Sequence, residues 1–185
     1  AGEHNRANAI AAIVAAEHIG ITPAESIEAL SAFQGVRRRL EVRGTVGGVT
    51  VIDDFAHHPT AIATTIAGLR ARMQAGSHPG GRLLAVLEPR SNTMRTGTLK
   101  AQLPASLQDA DLVFCYAGGI DWDAQAALAP LGERVAVFRD MPALEAAILA
   151  AARPGDQVLV MSNGGFGGIH GRLLAGLASR EGNGK

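Results

Sequence analysis

Cysteine is nearly absent: Cys115 is the only one in 185 residues, so no internal disulfide can form. It lies in the apolar run Asp111-Leu-Val-Phe-Cys-Tyr116, which predicts a buried, inert thiol and fits a reducing compartment. Neither sign of charge is in excess. Seventeen basic residues face seventeen acidic ones, which removes any bulk electrostatic argument for nucleic acid or an anionic membrane. No apolar run approaches the roughly 20 residues needed to cross a bilayer. The Ala-rich start, Ala7 to Ala16, follows Glu3, His4, Asn5 and Arg6 and runs into Glu17 and His18, with no cleavage region of the secretory type. These absences point to a cytoplasmic globular domain. There is also no G-x-x-x-x-G-K-[ST] loop, hence none of the usual cradle for ATP phosphates, no serine at a nucleophile elbow and no C-x-x-C pair.

What is present is apolar enough to build a core: hydrophobic residues make up 47% of the chain. Ile10, Ile13 and Val14 repeat at helical spacing in a segment predicted to run from Asn5 to Ile19, with Gly20 as its stop. Thr22-Pro23-Ala24-Glu25 supplies a cap and a first-turn proline for a second helix reaching Phe33. Gly35-Val-Arg-Arg-Arg39 reads as a joint with a solvated basic surface. From Leu40 the period changes to two, and Leu40–Val46, Gly47-Gly48 and Val49–Ile52 predict a β-hairpin. Four apolar strand candidates follow, at 82–87, 111–116, 134–138 and 157–161. They alternate with helical stretches at 59–73, 98–107, 122–128, 141–152 and 169–177. This alternation predicts an α/β fold with a mostly parallel sheet and helices on both faces. Residues 75–81 read as a flexible loop and 180–185 as a frayed tail.

In such a fold ligands gather where strands end and the next loop begins. Three polar segments follow apolar strands directly. Asp53-Asp54-Phe-Ala-His57-His58-Pro59-Thr60 places two carboxylates and two imidazoles before a helix start, a natural position for phosphate or carboxylate. A metal site is a second reading of that octet, and a capping aspartate beside a packed histidine is a third. Glu88-Pro-Arg90-Ser91-Asn92-Thr-Met94 carries a planar guanidinium suited to bidentate carboxylate binding, or else a solvated loop with capping polar residues. Ser162-Asn163-Gly-Gly-Phe-Gly-Gly-Ile-His170 permits close backbone approach to a ligand or a tight turn. Asn5 and Asn8, three apart at a helix start, could read a base edge or cap the helix.

Taken in order, Gly2-x-His4-Asn5-x-x-Asn8, Phe33-x-Gly35-Val-x-Arg38-Arg39-Leu-Glu41 and the Asp53–Pro59 run resemble the Mur ligase family, ATP-dependent amide-forming enzymes of peptidoglycan synthesis. The loops at 88–94 and 162–170 are similar to those of the branch that joins UDP-N-acetylmuramate to recycled L-Ala-γ-D-Glu-meso-diaminopimelate. The L-alanine-adding branch and a non-catalytic nucleotide- or anion-binding module are the alternatives.

The resemblance implies a Rossmann-like peptide-binding domain over residues 35–185, preceded by the closing helices of a central ATP-binding domain over 1–34. It implies ATP and Mg²⁺ held mainly by the remainder of a longer enzyme, an acyl-phosphate mechanism, and no activity for these 185 residues alone. By the same resemblance Asn5 and Asn8 lie by the adenine, Arg39 reaches the ATP phosphates, Asp54 reaches the ribose, and His57 and His58 border the reacting centre. Arg90 is the expected carboxylate clamp, with Ser91, Asn92, Ser162 and Asn163 as further peptide contacts.

Overall fold

A computed structural model describes residues 3–33, 35–76 and 80–182. The middle of the expected 75–81 loop, the end of the expected tail, Gln34 at the expected boundary and Gly2 of the N-terminal motif lie outside them. The chain divides into two compact units between Arg37 and Arg38.

The first unit is a helical hairpin. α1 (Glu3–His18) is closed by Gly20 at φ 91°. α2 (Pro23–Ser31) opens with the expected cap, now seen as a reciprocal box: the Glu25 amide donates to Thr22 Oγ1, and the Thr22 amide donates to the Glu25 carboxylate at 2.9 Å. Ile10, Val14, Ile27 and Phe33 remain exposed.

The second unit is a six-stranded sheet in the order β1-β2-β6-β3-β4-β5. β1 (Glu41–Val46) and β2 (Val49–Asp54) form the antiparallel hairpin, turned by Gly47 and Gly48 at φ 58° and 73°, the left-handed pair such a two-residue turn requires. β2, β6 (Gln157–Met161), β3 (Leu83–Leu87), β4 (Leu112–Tyr116) and β5 (Val135–Phe138) are mutually parallel. Every residue of β3 is buried, because apolar layers cover both faces. On one face Ile52, Leu87 and Leu159 pack with Ile62, Ile66 and Leu69 of α3 (Pro59–Ala75). On the other, Val51, Val86 and Val160 pack against α7 (Met141–Ala151) and α8 (Ile169–Gly182). The mostly parallel α/β sheet expected from the alternation is therefore present.

Three helices differ from expectation. The segment at 98–107 is a 3-10 turn at Lys100–Gln102 followed by the short α5 (Leu103–Leu107), and the loop before it holds a further short helix, α4 (Asn92–Arg95). Gly97, at φ 73°, follows α4, and a Cβ there would sit 2.8 Å from the Trp122 ring. Trp122 does not begin a helix: it is buried, its indole donates to the Met94 carbonyl at 2.8 Å, and Asp123 caps α6 (Ala124–Leu128). α8 continues to Gly182, since Ala-Ser-Arg-Glu contains nothing that stops it. No helix among the described residues is long and apolar enough to cross a membrane.

Register fixes which loops meet. Asp54 and Leu87 both lie opposite Met161, and Leu87 lies opposite Cys115. The loops after β2, β6, β3 and β4 therefore leave the sheet along one rim.

Candidate functional site

The β2 end turns on a carboxylate. Asp54 accepts the Leu40 amide at 2.8 Å, the Ala56 amide at 2.8 Å and the Thr65 hydroxyl at 3.2 Å, and is only 2% exposed. Both oxygens are engaged inside the fold, so Asp54 shapes the loop. Arg39 stays largely exposed, with its guanidinium 3.9 Å from Asp54 and 6.0 Å from the Phe55 ring centre.

Beyond this turn the imidazoles diverge. His57 is half-buried, edge-on to Phe55 at 5.4 Å; its Nδ1–H donates to the Phe55 carbonyl at 2.9 Å, which leaves Nε2 as the free nitrogen. His58 is exposed at the N-cap of α3 and makes no side-chain cap bond, while Pro59 occupies the first turn. The start of this 17-residue helix thus keeps uncapped N–H groups beside two histidines.

The β3 loop presents Arg90. It is exposed, and no carboxylate among the described residues pairs with it. Its side chain lies against Gly164 of the β6 loop, where a Cβ would fall 2.6 Å from Arg90 Cδ. Ser91 caps α4 through the Met94 amide, and Asn92 opens that helix, exposed.

Ser162 is placed differently from expectation. It is 1% exposed, and its hydroxyl donates to Glu88 at 2.5 Å and accepts the Gly164 amide at 2.9 Å, so it braces the loop. Asn163 is half-buried, with Oδ1 buried and without a hydrogen-bond partner. Asn5 and Asn8 are both exposed on α1, within the first unit.

Beneath these loops lies a polar cluster that the sequence did not reveal as a unit. Arg38 donates to Asp53 Oδ2 at 3.2 Å and to the Ser162 and Gly164 carbonyls at 2.6 and 2.9 Å. His170 Nε2 stands 3.3 Å from Asp53 Oδ1. Burial pushes the His170 imidazole below its ordinary pKa. The Arg43 and Arg38 charges act in the same direction, and Asp53 opposes them. Arg38 looked like one of three solvated arginines; only its contacts separate it from Arg37 and Arg39. Glu88 opened a segment already singled out, but its pairing with Ser162 crosses 74 residues of chain.

No group of three or more His, Cys, Asp or Glu side chains among the described residues is arranged to hold a metal ion. For a nucleotide, the fitting groups are the exposed Arg39 guanidinium and the uncapped start of α3, both suited to phosphate oxygens.

The sequence profile of the Mur ligase, glutamate ligase domain, matches residues 38–164. The chain belongs to the Mur ligase family. The family match begins at Arg38, where the second compact unit also begins. The chain is 48% identical over 180 residues to the UDP-N-acetylmuramate--L-alanyl-gamma-D-glutamyl-meso-2,6-diaminoheptandioate ligase of Escherichia coli, spanning 97% of this chain and 38% of that protein. It is 38% identical over 187 residues to a UDP-N-acetylmuramate--L-alanine ligase of a Mycobacterium species, again 97% of this chain and 38% of the relative. Among solved structures, the murein peptide ligase of Psychrobacter arcticus matches at 39% identity with a TM-score of 0.75, covering 96% of this chain and 38% of that one. The chain thus spans well under half the length of these relatives. The rim carries two exposed guanidinium groups, Arg39 and Arg90, with His57 and the start of α3 between them in chain order.

Proposed function

We propose that this chain is the peptide-binding part of a cytoplasmic ATP-dependent ligase joining UDP-N-acetylmuramate to L-Ala-γ-D-Glu-meso-diaminopimelate. The observation that carries the reading is Arg90: an exposed, unpaired guanidinium on the same sheet rim as His57 and His58. A tripeptide with several carboxylates is the matching partner, and Arg90 holds one of them bidentately. Asn92 and Asn163 supply further polar contacts. The higher identity to the tripeptide ligase than to the L-alanine ligase supports the longer substrate.

In this scheme residues 1–34 close a neighbouring ATP-binding domain, whose surface covers the exposed Ile10, Val14 and Phe33. Asn5 and Asn8 contact the adenine. Mg²⁺ would be held mainly outside this chain and would neutralise phosphate charge there. Arg39 and the α3 N–H groups face phosphate oxygens, so positive potential lies over the developing oxyanion when the amine attacks the activated carboxyl. The free Nε2 of His57 accepts a hydrogen bond from the incoming amine, and His58 borders the same centre. Their shared contribution is to hold amine and acyl group in register. The 185 residues alone, without a phosphate loop, do not turn over.

The test uses the full-length ligase carrying this domain. Arg90→Ala raises the tripeptide KM at least about tenfold, consistent with about 1.5–3 kcal/mol for a charged hydrogen bond, and leaves the ATP KM within about twofold. Equal rises in both would remove Arg90 from the peptide. Turnover with free L-alanine in place of tripeptide would move the protein to the other branch.

A further inference from the structure

Arg38 is held in a conformation that a side chain other than glycine rarely adopts, φ 58°, and it is the residue just before the exposed Arg39. Its amide donates to Glu41 at 2.7 Å, and its guanidinium stands 5.0 Å from the Phe55 ring centre. The same guanidinium reaches across the sheet end. Nε bonds Asp53, at the root of the histidine loop, and Nη2 bonds both the Ser162 and Gly164 carbonyls of the glycine-rich loop.

Gly164 is therefore gripped from two sides. Its carbonyl accepts from Arg38, and its amide donates to Ser162 Oγ, which Glu88 holds in turn. On its open Cα side lies Arg90: a Cβ would meet Cδ at 2.6 Å and Nε and Nη1 at 2.7 Å. The height of the Gly164 backbone thus sets the seat of the Arg90 guanidinium.

We infer that Arg38 is a positioning residue for Arg90, acting through Gly164, and that it ties the peptide-clamping loop to the strand end carrying the histidines. The planar fork matters. A lysine ammonium, a single point donor, does not span two carbonyls and the Asp53 carboxylate in this geometry. This inference rests on the reading that Arg90 clamps the peptide.

The experiment measures steady-state kinetics of the full-length ligase as Arg38→Lys, Gly164→Ala and Arg90→Ala, singly and with each of the first two combined with the third. Arg38→Lys is expected to raise the tripeptide KM about tenfold, with kcat and the ATP KM within about twofold. Gly164→Ala, which leaves Arg38 intact and displaces the Arg90 side chain, is expected to do the same; it keeps the test decisive if the lysine variant does not fold. In the Arg90→Ala background either change adds less than about twofold, since both act through the missing side chain. Full multiplication onto Arg90→Ala, or an equal rise in the ATP KM, would overturn the inference. So would an effective Arg90→Ala beside silent Arg38→Lys and Gly164→Ala, which leaves the function reading standing. A silent Arg90→Ala overturns both.

Discussion

Asp54→Asn separates a loop anchor from a nucleotide ligand. In the native chain one carboxylate takes three donors: two backbone amides at 2.8 Å and the Thr65 hydroxyl at 3.2 Å. An asparagine of the same shape offers one carbonyl oxygen, so its NH₂ must face either the Leu40 or the Ala56 amide, donor against donor. Each buried donor left unmet costs about 1–3 kcal/mol, and a charge-assisted bond is lost as well, giving about 3 kcal/mol in all. In a domain of this size each kcal/mol moves the melting point by about 2–4 °C, so the fall is about 6–12 °C. Trp122 is the only tryptophan and is 7% exposed in the sheet unit, so its fluorescence follows that unit alone during heating or urea titration. Thr65→Val, which removes the longest of the three bonds, costs about 1 kcal/mol in the same assay. The reasoning is refuted if Asp54→Asn melts within about 2 °C of the native chain while the full-length enzyme's ATP KM rises tenfold.

His170 is held neutral by burial, so its folded pKa lies below the unfolded one. Its contribution to stability is complete above the ordinary imidazole pKa of about 6.5 and is lost as pH falls from there toward the folded pKa. Native protein should lose more stability between pH 7 and pH 5 than His170→Gln, measured by urea midpoints; parallel curves would contradict this. The Cys115 thiol, pushed up to about 12 by burial, should resist alkylation in native buffer and react only on unfolding, as read by mass spectrometry. Gly97→Ala combines a positive φ with a 2.8 Å approach to Trp122, and should cost about 2 kcal/mol or more and red-shift the tryptophan emission. Arg82→Ala removes the ion pair to buried Asp156, which keeps the Arg82 and Arg153 amides, and should cost about 1.5–3 kcal/mol at the opposite rim while leaving the full-length enzyme's tripeptide KM unchanged.

The sheet was legible because its signals are local. Alternation from Leu40, the Gly47-Gly48 turn and the short Val/Leu runs each report on a few neighbours, and strand-end loops on one rim follow from parallel order alone. Arg90 stood out for the same reason: it sits in the short polar loop that follows the apolar strand β3. The short α4 before Gly97 was not legible, and Gly97 itself lies against the Trp122 ring, 25 residues away in the chain.

The sequence by itself carried the resemblance to the family, determined the α/β class and marked the strand-end loops as candidates. They could not rank residues within those loops. Asp54 and Ser162 turned out to be inward braces, and Arg38 a bridge between two loops, through hydrogen bonds spanning from 2 to 126 residues of chain. Only the folded backbone decides which oxygen a guanidinium can reach. A polar side chain acts on a ligand when that competition leaves it unengaged, and on the fold when it does not.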